Sequence, residues 1–245
     1  MKLFEDIIIE LRSWMGGMRE HAPEYAEHNA GADDWPAGER GNIVMQVDTG
    51  VELGNPRDES ASFLLWTSDL SLVKDGRITR IGPDVSACRG RSVPFGKAAI
   101  LAVTGFTKDN CFERHREMEL VRSGLNLKGY MMRATSQHMR EWSRISTGAV
   151  ENGFSLAILG SSLINRYRSL PYVAAAEMLF VTSAPEHVRA LQRIGIRSGR
   201  LIAAMSKMVQ ELSFDCDTCD YNDICSEVDV LKSMRRSMKK EAFRG

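Results

Sequence analysis

Residues Ala98 to Val103 form an unbroken apolar run, with Gly96 before it and Gly105 after it. A strand with one wet face alternates apolar and polar residues, whereas one that is apolar at every position is covered on both sides. The run therefore predicts a strand buried on both faces, and so a chain able to pack other layers around it. Candidates for those layers stand on either side. From about Lys2 to Arg19, the residues Phe4, Ile7, Ile8, Leu11, Trp14, Met15 and Met18 recur at helical spacing, which predicts an amphipathic helix. Residues 21–41 are polar and rich in turn formers, and read as a linker. Strands are expected at Asn42 to Val47 and at Ser62 to Thr67. A hairpin is expected over Leu72 to Ile81, because Asp75-Gly76 supplies the positive φ angles of a tight turn. Thr107 and Gly124 bracket a helix over Lys108 to Arg122.

From Arg140 onward the pattern becomes β-α-β-α: a strand at Trp142 to Ile145, helices near Thr147 to Asn152 and Ser155 to Arg168, then a strand at Glu177 to Thr182. Ser183-Ala184-Pro185-Glu186 has the cap, early proline and third-position acid of a helix start. That helix is expected to run to about Leu212, with a break near Gly195 to Gly199. The whole predicts an α/β fold: a mixed sheet with flanking helices, an N-terminal helix plus β-rich part, and a C-terminal cysteine loop and basic helix. The expected divisions are residues 1–40, 41–212 and 213–245.

The 245 residues carry 32 basic and 32 acidic side chains. Zero formal charge predicts no general attraction to nucleic acid or acidic membranes. No apolar run reaches the roughly 18 residues of a membrane span. The start of the chain has acids, Glu5 and Asp6, where a signal peptide has its basic and apolar parts. A cytoplasmic location is expected.

Three of the five cysteines, Cys216, Cys219 and Cys225, form a Cys-x2-Cys-x5-Cys series. In a reducing compartment such clustered thiols favour metal over disulfide. Two thiols separated by two residues can curl around one metal or cluster, and a third can close a face of it. An iron–sulfur cluster of the 4Fe–4S type, a zinc ion completed by a carboxylate or histidine, and a solvated acidic loop without metal are the alternatives. Cys111, beside Phe112, reads as core, and Cys88 as a loop residue. His115 and His138 stand apart from any ligand-like partner. After Cys225, the chain is basic, with Val228, Leu231, Met234 and Met238 at helical spacing.

Several separated stretches resemble one family. Trp142-Ser143-Arg144-Ile145-Ser146, Gly153-Phe154 and Ile158-Leu159-Gly160 occur in an order similar to that of the acetyl-CoA synthase subunit of the carbon monoxide dehydrogenase/acetyl-CoA synthase complex. Val51-Glu52-Leu53-Gly54-Asn55-Pro56, Asp75-Gly76-Arg77-Ile78-Thr79 and Gly82-Pro83-Asp84 extend the series, over roughly residues 45 to 225. That family binds a 4Fe–4S cluster bridged to nickel. Cys216 and Cys219 match its first cysteine pair, but Cys225 falls three residues early, and the family's nickel motif has no counterpart before Gly245.

The resemblance implies coenzyme A binding at Trp142 and Arg144. Arg133 and Arg140 belong to the arginine-rich stretch, Glu113 to Arg168, that surrounds them and includes Arg114, Arg116, Arg122, Lys128, Arg166 and Arg168. An indole can stack on adenine while guanidinium forks hold phosphates; the alternative is a core tryptophan with arginine stems lying over it. The implied role is an iron–sulfur accessory or binding component of one-carbon metabolism. It would work with a protein partner of carbon monoxide dehydrogenase or corrinoid-protein type, with nickel chemistry supplied by another chain. A homo-oligomer, or an adaptor with zinc or no metal, stays open. No phosphate-binding glycine loop or nucleophile motif stands out beside these.

Overall fold

The computed structural model describes residues 2–22, 24–32, 34–39, 43–135, 139–210 and 219–234. The fold is α/β with mixed sheets, of which there are two. The first contains β1 (Tyr25–Asn29), β3 (Ser60–Thr67), β4 (Arg77–Ile81), β6 (Phe95–Val103) and β9 (Val173–Val181) in the order β1-β4-β9-β6-β3. The second contains β2 (Thr49–Leu53), β5 (Arg91–Val93), β7 (Tyr130–Thr135) and β8 (Arg140–Ser146) in the order β5-β2-β8-β7.

The apolar run lies inside β6, which is buried at every position. β6 is central because it pairs with β3 in parallel and with β9 antiparallel. The pairing puts Ile78, Met178 and Ala99 on one face, and Gly96, Ala98, Leu179 and Val181 on the other. On the first face, α4 (Leu156–Arg168) packs Gly160 against Ile78, with α2 (Cys111–Ser123) beside it. On the second, α5 (Pro185–Gln210) brings Leu191 to Gly96, and α1 (Glu5–His21) packs on α5 and β3. A strand apolar on both sides is thus covered on both sides, as its composition requires.

Several expectations are corrected. The polar stretch after α1 contains β1, whose side chains stay largely exposed while its backbone pairs with β4; an edge strand of this kind has no apolar alternation to reveal it. Residues 46–48 form a 3-10 turn and the strand begins at Thr49, whereas Asn42 lies outside the described residues. At Asp75-Gly76 the turn is made, with Gly76 at φ +76, yet no hairpin forms. Residues 70–72 coil into a 3-10 turn, and β4 pairs instead with β1 and β9. Asp75 explains this: its carboxylate accepts from Ala176 N–H at 3.0 Å and from Arg168 at 2.6 Å, so the turn is fastened to β9. The helix expected from Lys108 starts three residues later, at Cys111.

The break expected at Gly195 to Gly199 does not occur, and α5 runs unbroken for 26 residues. A side chain at Gly195 would lie 2.5 Å from the Phe63 ring, and one at Gly199 2.8 Å from Met139 Sδ. The two glycines, four apart on one helix face, make room for strand β3 and Met139. Most of the cysteine loop and the basic tail falls outside the described residues. What is described is α6 (Asn222–Glu227), which packs on α5, and a further helical stretch at 229–234. No helix among the described residues is long and apolar enough to cross a membrane.

Candidate functional site

The second sheet keeps one face open. Along β8 burial alternates strictly, with Glu141, Ser143 and Ile145 inward and Arg140, Trp142, Arg144 and Ser146 outward. Arg133 of β7 is opposite Trp142, and Glu52 of β2 opposite Arg144. The pleat therefore brings Arg133, Trp142 and Arg144 to one surface. The Arg144 guanidinium lies 4.4 Å from the Trp142 ring centroid, and its Nε donates to Glu52 Oε1 at 2.7 Å. Asn55 holds the other oxygen of that carboxylate at 2.5 Å. Arg133 is exposed and pairs with no carboxylate among the described residues. Trp142 Nε1 is buried without a hydrogen-bond partner. The fourth predicted residue, Arg140, behaves differently: its guanidinium donates to the Asp58 carbonyl at 2.7 Å and borders a separate cleft.

That open face can do three things chemically. An indole with a cation on one side is a stacking platform for a planar base. Arg144, fixed by Glu52, is pre-oriented. Arg133 offers an unpaired fork to an anionic group.

Beneath this surface lies a buried charged cluster that the sequence did not reveal. Lys97 of β6 and Glu141 of β8 form an ion pair with Nζ 2.7 Å from Oε1, their side chains 4% and 0% exposed. Glu141 also accepts from Ser62 Oγ at 2.9 Å. Arg122 of α2 donates to that same Ser62 oxygen at 2.8 Å and pairs with Glu119. Two cations thus meet two anions, and the carboxylate at the centre is satisfied from several sides, as a buried charge demands. Burial pulls Lys97 below the usual lysine range, against the opposing pull of Glu141. Burial also raises Glu119, although Arg122 works in the other direction. The one hint in the sequence is a lysine set between Gly96 and the apolar run of β6, at a position the two-sided burial of that strand must enclose.

Beside the cluster, α2, β3, α5 and Tyr221 enclose a cleft of about 1000 Å³. His115, which looked isolated in the sequence, is in its wall. Burial, with the Arg122 charge adding to it, lowers its pKa to about 3, so the ring is neutral, and its Nδ1 has no partner.

Of the three predicted thiols, Cys216 lies outside the described residues. Cys219 is half-buried, and Cys225 is buried in α6; the Cys219 carbonyl accepts from Asn222 N–H at 3.0 Å to start that helix. Among the described residues, no three histidines, cysteines or carboxylates are placed to hold a metal ion. Cys219 and Cys225 therefore do not by themselves make up a cluster site. Cys88 and Cys111 are both wholly buried in the core, and burial raises the Cys111 thiol to about 11, leaving it an inert packing group.

Residues 36–186 match the protein family described as CO dehydrogenase/acetyl-CoA synthase complex beta subunit. A search of curated proteins finds no match. The matched residues include both sheets except β1, and contain Arg133, Arg140, Trp142 and Arg144 but none of the three clustered cysteines.

Proposed function

The chain belongs to the CO dehydrogenase/acetyl-CoA synthase complex beta subunit family, and from that premise we propose that it serves as an acetyl-CoA-synthase-like binding component. Coenzyme A would bind on the open face of the second sheet. The observation that carries this reading is the stacked Trp142–Arg144 pair, 4.4 Å apart, with the unpaired guanidinium of Arg133 on the adjacent strand. The adenine would extend the stack, and the phosphates would meet Arg133 and the outer edge of Arg144. Glu52 would hold Arg144 in place rather than compete for ligand. The test is a coenzyme A titration followed by tryptophan fluorescence. Trp142→Phe identifies the signal, because the chain has four tryptophans. Saturable quenching that weakens about tenfold in Arg133→Ala is expected from the loss of one charge-assisted contact. Quenching that fails to saturate at millimolar ligand, or that persists unchanged in Trp142→Phe, sinks the reading.

The cysteine series supports a second element of the same role. A 4Fe–4S cluster on Cys216, Cys219 and Cys225 would supply electron transfer or a docking charge, with its fourth position open to another ligand. Cys219, at the entry to α6, is half-buried and so less enclosed than the core thiols of Cys88 and Cys111, which supports this reading. Metal and sulfide analysis on protein purified without oxygen tests it: about four irons and four sulfides, lost in Cys219→Ser, are expected for that cluster. One zinc would replace it with a structural site. A partner of CO dehydrogenase or corrinoid-protein type is part of the proposal, and copurification from a native host is its measurement.

A further inference from the structure

We propose that the cleft between α2 and α5 binds a small amphipathic organic anion: a carboxylate or phosphate carried on an apolar body. This site is separate from the open sheet face and does not rest on the coenzyme A reading. Its volume, about 1000 Å³, is that of a small-molecule pocket. Its walls are apolar in a way that needs a ligand. Leu120 of α2 and Ile196 of α5 both line it, and are 68% and 49% exposed among the described residues; a solvent-facing surface gains nothing from two aliphatic side chains lining one cavity.

The charge of the cleft selects an anion. Among the described residues, Arg116, Arg122, Arg140 and Arg200 line it, against Glu119 alone. Glu119 pairs with Arg122, and Arg200 with Asp223. Arg140 donates to the backbone carbonyls of Pro56 and Asp58, and neither it nor Arg116 has a carboxylate partner among the described residues. Among the described residues, two guanidiniums thus lack a carboxylate at its rim. Deeper in, His115 is 5% exposed and its Nδ1 has no partner. Arg122 is also 5% exposed, and its Nε has none. Buried polar nitrogens are normally satisfied; a ligand oxygen would satisfy Arg122 Nε and, in the tautomer protonated at Nδ1, His115 as well. Arg122 is already held by Glu119 and Ser62, so it needs no rearrangement to receive one. An inorganic anion would leave the aliphatic walls unused, and an apolar molecule would leave the guanidiniums unused.

Calorimetric titration of the full chain with octanoate and with octyl phosphate tests this, with octylamine and octanol as controls. Saturable binding of either anion, weakening as salt rises, and no comparable binding of the two controls, is the expected result. Which anion binds more tightly separates a carboxylate ligand from a phosphate one. Arg116→Gln and Ile196→Asp, both at exposed positions that leave the fold intact, should each weaken the anion about tenfold. Arg77→Gln, which removes a guanidinium on the far β1–β4 edge, should change nothing. Equal binding of octanol or octylamine, absence of saturation at millimolar anion, or unaltered affinity in both cleft variants would each overturn the proposal.

Discussion

The two sheets of this protein are built to opposite specifications. The five-stranded sheet is enclosed by helices on both faces, and β6 is buried at every position. The four-stranded sheet is enclosed on one face, and β8 alternates between buried and half-buried residues along its length. Where helices lie on both sides, each position is answerable to packing, so substitutions act on stability. Where one face is not fully enclosed, Arg133 is exposed and Trp142 and Arg144 are half-buried, which leaves them accessible to the ligand proposed above. The strand that joins the two, β8, does both: its inward Glu141 completes the buried ion pair, and its outward Trp142 and Arg144 form the candidate platform.

The sharpest way to break this comparison is at that inward position. Glu141→Ala leaves Lys97 charged and unpaired in the core, and a loss of about 3–5 kcal/mol in urea unfolding is expected. Lys97→Met combined with Glu141→Leu should recover most of it, because a well-packed apolar pair replaces a costly ionic one. A small effect in the single variant would show that the enclosed face is not enclosed.

Next in size is Gly195→Ala, whose new methyl would be 2.5 Å from the Phe63 ring. Thermal unfolding should report about 1–3 kcal/mol of destabilisation from overpacking. Comparable in scale, per pH unit, is the acid response of His115. Its folded pKa is about 3 and its unfolded value about 6.5, so between these the unfolded chain binds more protons. Stability should therefore fall as pH drops from about 6.5 towards 3, by up to about 1.4 kcal/mol per unit. His115→Phe should flatten that slope in pH-dependent unfolding.

The smallest effects on stability belong to the open face. The Arg144–Glu52 pair is 16% and 17% exposed, and Arg144→Ala, which leaves the Glu52 carboxylate with Asn55, should cost about 1–2 kcal/mol. The same substitution should weaken coenzyme A about tenfold in the fluorescence titration. Stability loss without loss of binding would reverse the roles assigned to the two faces.

Local chemistry made part of this legible in the residues alone. The continuous apolar run of β6, the stop at Gly124 and the strand-helix-helix-strand pattern after Arg140 all report short-range constraints, and each is realised where it was read; the cap read at Thr107 is not, because α2 is entered from Asn110. Two kinds of feature were hidden. One is any element whose stability comes from a distant partner: β1 has no apolar pattern of its own and exists because β4 offers it backbone hydrogen bonds, and the Asp75-Gly76 turn is diverted from a hairpin because Asp75 is fastened to β9 and α4. The other is any site assembled across elements. Lys97, Glu141, Ser62 and Arg122 lie on four different elements, and no spacing along the chain relates them.

The sequence by itself determined that this chain forms an α/β core, that its family is that of the CO dehydrogenase/acetyl-CoA synthase complex beta subunit, and that tryptophan and arginine alternate on one strand. Those are properties of neighbouring residues, and burial period and motif order express them directly. Only the tertiary structure decided that the strands divide into two sheets, that one of those keeps an open face carrying Arg133 beside Trp142, and that a charged cluster and a cationic, apolar-walled cleft lie behind it. Pairing partners are chosen by long-range hydrogen bonding and packing among segments many residues apart, and a linear pattern does not record which of them will meet.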